Sequence, residues 1–111
     1  MSDTAEKINR GVFGFSNVIS INVFCDEFPG NDYTTYNLRI SLENEKKKRI
    51  ELLCKEIAEL KLQHFHQFPF LRAHDIRAHQ LDRVTLKFTE EEFNAIGFTC
   101  RSAEVRNNAS S

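Results

Sequence analysis

The residues in this chain best suited to chemistry are its histidines and the arginines around them. His64 and His66 would share a face if they lay on a strand, and His74, Asp75 and His79 follow. Two imidazoles flanking a phosphate, with a cation to hold its charge, are the working parts of an RNase-like hydrolase: one takes a proton and the other returns it. Arg72, Arg77 and Arg83 lie near His74 and His79 in sequence and supply that cation. The spacing of the histidines matches no zinc signature, and a solvated strand face accounts for them more simply. No Gly-rich strained turn presents a serine or cysteine nucleophile. The four glycines are too scattered to cradle a phosphate. The sequence therefore points to no metal and no cofactor.

A second set of residues suggests recognition instead. Asp26, Glu27 and Asp32 form one acidic cluster, and Glu90, Glu91 and Glu92 form another. Carboxylates fixed on a sheet edge or turn can meet the lysines and arginines of a basic partner, raising on-rate and selectivity. The simpler alternative is that they keep the protein soluble. The one basic run, Lys46-Lys47-Lys48-Arg49, has no interleaved aromatics and reads as a solvated turn rather than a nucleic-acid platform. The net charge of −1 gives no global attraction to nucleic acid or to an anionic membrane.

The elements that must position these residues are strands. Ile19, Ile21, Val23 and Cys25 alternate with Ser20, Asn22 and Phe24; Tyr36, Leu38, Ile40 and Leu42 alternate with Asn37, Arg39 and Ser41. Such a period of two buries one face and leaves the other wet. Strands are expected over residues 18–25 and 33–43, separated by a Pro29-Gly30 reversal in residues 28–32. Residues 44–48 then make a charged connection to a strand through Ile50, Leu52 and Cys54. Residues 50–64 read two ways. Ile50, Leu53, Cys54, Ile57 and Leu60 fit a helical stripe; a strand pair with a break at Glu56 and Ile57, resuming at Ala58, Leu60 and Leu62, fits as well. Later come a short apolar stretch (Phe70, Leu71, Ile76) and two alternating runs, Val84/Leu86/Phe88 and Ile96/Phe98/Cys100. Residues 89–92 between them read as a hairpin loop or as a capping box opening one helical turn.

The expected fold is therefore mainly β, an antiparallel meander, twisted sheet or small sandwich. Its alternative is an α+β arrangement with one helix at about residues 50–64. A chain of 111 residues makes one domain, set here at residues 11–106, with a frayed polar N-terminus at 1–10 and a disordered tail at 107–111. Ten phenylalanines supply apolar bulk for its core. Cys25, Cys54 and Cys100 are odd in number and widely spaced, which argues against a disulfide framework. Each is in phase with apolar neighbours and is expected to be buried. No stretch is long and apolar enough to span a bilayer, and residues 1–10 lack a signal-peptide core, so the expected location is the cytoplasm.

Residues 49–65 and 70–100 carry a loose pattern. Ile50, Leu52, Cys54, Ile57, Leu60 and Leu62 form its first part; Ile76, Gln80-Leu81-Asp82, Phe98 and Cys100 form the rest. In these positions, about half of the chain, it resembles small β-rich immunity proteins of bacterial polymorphic toxin systems, including contact-dependent growth inhibition. The matching positions are mostly apolar; they specify a core, and no functional residue is carried over. The resemblance implies a monomeric cytoplasmic protein without catalysis of its own. It would bind and neutralise the C-terminal domain of a cognate toxin, such as a nuclease, without touching nucleic acid or membrane directly. Asp26, Glu27, Asp32, Glu90, Glu91 and Glu92 are the expected contacts to basic toxin residues. The RNase-like reading of His74 and His79, and a structural module that self-associates through an open sheet edge, are the alternatives.

Overall fold

Alternation builds most of this molecule. The computed structural model describes residues 4–26, 35–63, 67–76 and 86–107. They form one helix, α1 (Thr4–Val12), and eight strands: β1 (Asn17–Asp26), β2 (Thr35–Glu43), β3 (Arg49–Lys55), β4 (Ala58–Leu62), β5 (Leu71–Asp75), β6 (Leu86–Glu90), β7 (Ile96–Cys100) and β8 (Ser102–Asn107). The strands make two antiparallel sheets, ordered β1-β2-β3-β8 and β4-β7-β6-β5. The fold is mainly β, as the sequence predicts. The expected meander is the run β1-β2-β3.

The described part of residues 50–64, up to residue 63, holds two strands and no helix. Helical propensity is a weak preference that packing overrides, and β3 is paired on both sides, by β2 and by β8. It buries Ile50, Leu52, Leu53 and Cys54. β3 passes into β4 through Glu56 and Ile57, and β7 passes into β8 through Arg101 alone. Because β3 pairs with β8 and β4 with β7, these four strands are one long two-stranded ribbon, bent where it crosses between the sheets. Glu56 makes the bend with a left-handed backbone (φ 54°), which costs a residue with a side chain about 1 kcal/mol. Neighbouring bonds hold it there. Its N–H donates to Asn37 Oδ1 at 3.1 Å, Ile57 N–H donates to Tyr36 O at 2.8 Å, and Arg101 Nη1 reaches Glu56 Oε2 at 3.0 Å.

The core lies between the sheets. Leu38, Ile40, Leu42, Leu52, Phe88 and Phe98 are buried in it, and the Phe88 and Phe98 rings stack at 4.8 Å. Both sheets expose edges at one side, β8 and β5, and α1 packs against both. It buries Ile8 and Val12. The lack of a side chain at Gly11 matters, because a Cβ there would lie 3.1 Å from Val105. Asn9 then acts as a short strand substitute: its Oδ1 accepts from Ala73 N–H at 2.7 Å and its Nδ2 donates to Ala73 O at 3.1 Å.

Several expectations are corrected. Residues 4–12 are helical rather than frayed, because Ile8 and Val12 find a tertiary surface. Residues 102–107 form a strand, and Asn107, expected in the tail, pairs with Ile50. In β1 the register with β2 slips by one residue between Val18 and Ser20, so Ile19 sits in a bulge and is exposed. Val23 and Cys25 are exposed too. They lie toward the end of β1, which among the described residues is an edge strand with β2 on one side. Cys54 and Cys100 are buried as expected. In β4 a second bulge at left-handed Glu59 accompanies the exposure of every residue of the strand, Leu60 and Leu62 included. The Pro29-Gly30 reversal, His64, His66, residues 77–85 and the tail beyond Asn107 lie outside the described residues.

Candidate protein-binding surface

Glu90 is the organising residue of this surface. Leu86, Phe88 and Glu90 share one face of β6, so alternation carries a carboxylate into the core, where it is fully buried. A charge there is costly unless every lone pair is used. Glu90 Oε2 accepts from the N–H groups of Phe70 at 3.0 Å and Glu92 at 3.1 Å. Its Oε1 accepts from Phe93 at 2.6 Å and Ala95 at 3.3 Å. Burial by itself raises the carboxyl pKa. The four backbone donors act the other way and outweigh it, so the net shift is downward. One side chain thus holds the whole β6–β7 turn, including left-handed Asn94, and ties it to the residue before β5.

The residues fixed by this carboxylate face outward. Phe70 is 55% exposed and Phe93 51%. Phe13, just past α1, is 83% exposed and shares with Phe70 an open groove of about 430 Å³, whose walls include Asn9, Val12, Phe68 and Arg72. Alongside runs a polar ladder on the outer face of β5 and β6. His74 Nε2 lies 3.2 Å from both Thr89 Oγ1 and Glu91 Oε2, and Arg72 Nε is 4.0 Å from Glu91 Oε1. Exposed aromatic side chains beside charged groups are the composition of a protein-recognition patch.

The structure splits the acidic cluster predicted from sequence. Glu91 and Glu92 are exposed, with Glu91 in contact with His74 and Arg72. Glu90 is buried and engaged by four backbone N–H groups, so it shapes the surface without being part of it. Asp26 ends β1, paired with Thr35; its side chain, Glu27 and Asp32 lie outside the described residues. The RNase-like reading is likewise divided. His74 does meet a carboxylate, while His79, Arg77 and Arg83 lie outside the described residues. Arg72, His74 and Glu91 are each 43–57% exposed, so they lie on the surface rather than in a cleft. Among the described residues no three His, Cys, Asp or Glu side chains gather in a way that could hold a metal ion.

What the sequence reading missed is the exposed aromatics, since the phenylalanines read there as apolar bulk for the core. A signal was present. Leu71 and Ala73 set the inward phase of β5, which puts Phe70 outward, and Phe93 follows three glutamates in a turn. Comparison with protein-family models, with curated proteins and with solved structures finds no match.

Proposed function

We propose that this chain is an immunity protein that binds a cognate bacterial toxin domain and blocks it, with the surface around Glu90 as its principal contact. The observation that carries this reading is the set of three exposed phenylalanines, Phe13, Phe70 and Phe93, set beside Arg72, Glu91 and Glu92. Aromatic anchors within a polar rim supply most of the energy of tight protein complexes. A standard interface covers about 800 Å² per partner, roughly a tenth of the 7481 Å² surface of this chain. Glu91 and Glu92 suit a basic target such as the substrate path of a nuclease. Asp26, Glu27 and Asp32 are further contacts in this reading. The protein would act in the cytoplasm without catalysis of its own. Among the described residues, no helix is long and apolar enough to cross a membrane.

The test is affinity capture from the host cell with the toxin locus induced, comparing the tagged wild type with Phe13→Ser, Phe70→Ser and Phe93→Ser. The expected result is one stoichiometric partner retained through high salt, the C-terminal domain of a large secreted protein. Each substitution at an anchor should weaken it by about 30-fold. A partner held equally by all variants would move the site elsewhere, and a clean prey list would end the immunity reading. One observation favours a second reading: the His74–Glu91 contact at 3.2 Å is a usable acid–base pair. Phosphodiester cleavage that disappears in His74→Ala would establish it.

A further inference from the structure

Two cysteines meet where the ribbon bends. Cys54 lies next to the end of β3 and Cys100 ends β7, and the Arg101 N–H bonds to Lys55 O at 2.9 Å, joining the chain one residue beyond each. Cys54 is opposite Ala103 and Cys100 is opposite Leu86, so both side chains face the core. Both are fully buried members of the same apolar cluster, and their thiols are close enough to influence one another. Neither is bonded to another sulfur here. A disulfide would need the two sulfurs to close to a bond length of about 2 Å.

We propose that Cys54 and Cys100 form an oxidisable dithiol that a hydroperoxide converts to an intrachain disulfide, locking the bend of the ribbon. One thiol loses its proton, and its sulfur attacks a peroxide oxygen, breaking the O–O bond to leave a sulfenic acid and water. The second sulfur then attacks the sulfenic sulfur, expelling hydroxide, which leaves as water with the second thiol proton. Two thiols and one hydrogen peroxide become one disulfide and two waters; two electrons pass from sulfur to oxygen. In a reducing cytosol the pair rests as the dithiol. Burial pushes the Cys54 thiol well above its usual range, and the neighbouring Cys100 adds to this. The reactive thiolate is therefore scarce, and oxidation is slow, following brief openings of the bend. Exposed Cys25 reacts first and independently.

The experiment uses the full chain carrying Cys25→Ser, which removes intermolecular disulfides. The protein is incubated with hydrogen peroxide, unfolded, alkylated and weighed. The expected species is a monomer that has lost two hydrogens and takes no alkyl group, with a digest linking the peptides of Cys54 and Cys100. Its Tm should rise by roughly 10 °C, because the bridge closes a long loop, and a thiol reductant should return it to the starting value. Cys54→Ala and Cys100→Ala should each leave one alkylatable thiol. Two thiols still alkylated after prolonged peroxide treatment of the folded Cys25→Ser chain would overturn the proposal, as would a disulfide that lowers Tm. The mass measurement does not depend on either core variant folding.

Discussion

The turns β2–β3 and β6–β7 solve one problem with different chemistry. Each must satisfy several backbone N–H groups around a left-handed residue, and each does so with one side chain. In the first, Asn44 Oδ1 accepts from Lys46 and Lys48 N–H at 2.9 Å, beside left-handed Lys47. The acceptor is neutral, its donors are exposed and its neighbours are solvated lysines. In the second, Glu90 takes four donors while buried, beside left-handed Asn94. The first turn is local, since every bond stays within residues 44–48. The second reaches back to Phe70 and so couples two connections. A charged acceptor can serve more donors than an amide oxygen, at the cost of making the turn depend on protonation.

The largest test of that difference is Glu90→Gln. The amide replaces one oxygen by NH₂ and sets a donor against two N–H groups. A loss of about 3 kcal/mol is expected, with Tm falling by about 10 °C, read by thermal and urea unfolding. The pH profile sharpens the comparison. The folded-state pKa of Glu90 lies below its ordinary value, so its contribution is complete above the usual glutamate pKa of about 4.3 and is lost as pH falls through the lowered value. The stability gap between wild type and Glu90→Gln should therefore be full at neutral pH and shrink in acid. Asn44→Ala should cost about 1 kcal/mol with a gap that does not change over the same range; a gap that closes in acid would break the contrast. The smallest effects belong to the exposed ladder, where Glu91→Gln and His74→Ala should each stay within about 0.5 kcal/mol.

How much was legible depends on what alternation can and cannot encode. It encodes parity. Leu38, Ile40, Leu42, Ile50, Leu52 and Cys54 were placed inward correctly, and the same rule, continued through Leu86 and Phe88, would have put Glu90 inward apart from Glu91 and Glu92. Parity does not say whether anything lies opposite. Val23 and Cys25 share the inward phase of Leu38 and are exposed, because coverage depends on the second sheet. Nor does parity register a helix such as α1, whose two buried apolar residues stand in a polar segment and gain their energy from β5 and β8. The groove beside Phe13 and Phe70 was hidden for the same reason, since it exists only once α1 and β5 are in contact.

The bent ribbon has a consequence for cooperativity. One half lies in each sheet, and the two sheets bury their apolar faces in one shared cluster, so neither keeps a covered face once the other is lost. Unfolding is then expected as a single transition, with tertiary and secondary probes coinciding. Assembly faces the mirror image of that constraint. Residues 49–62 must find residues 96–107 across a long intervening chain before either sheet can close, and such distant pairings place a domain among the millisecond-to-second folders.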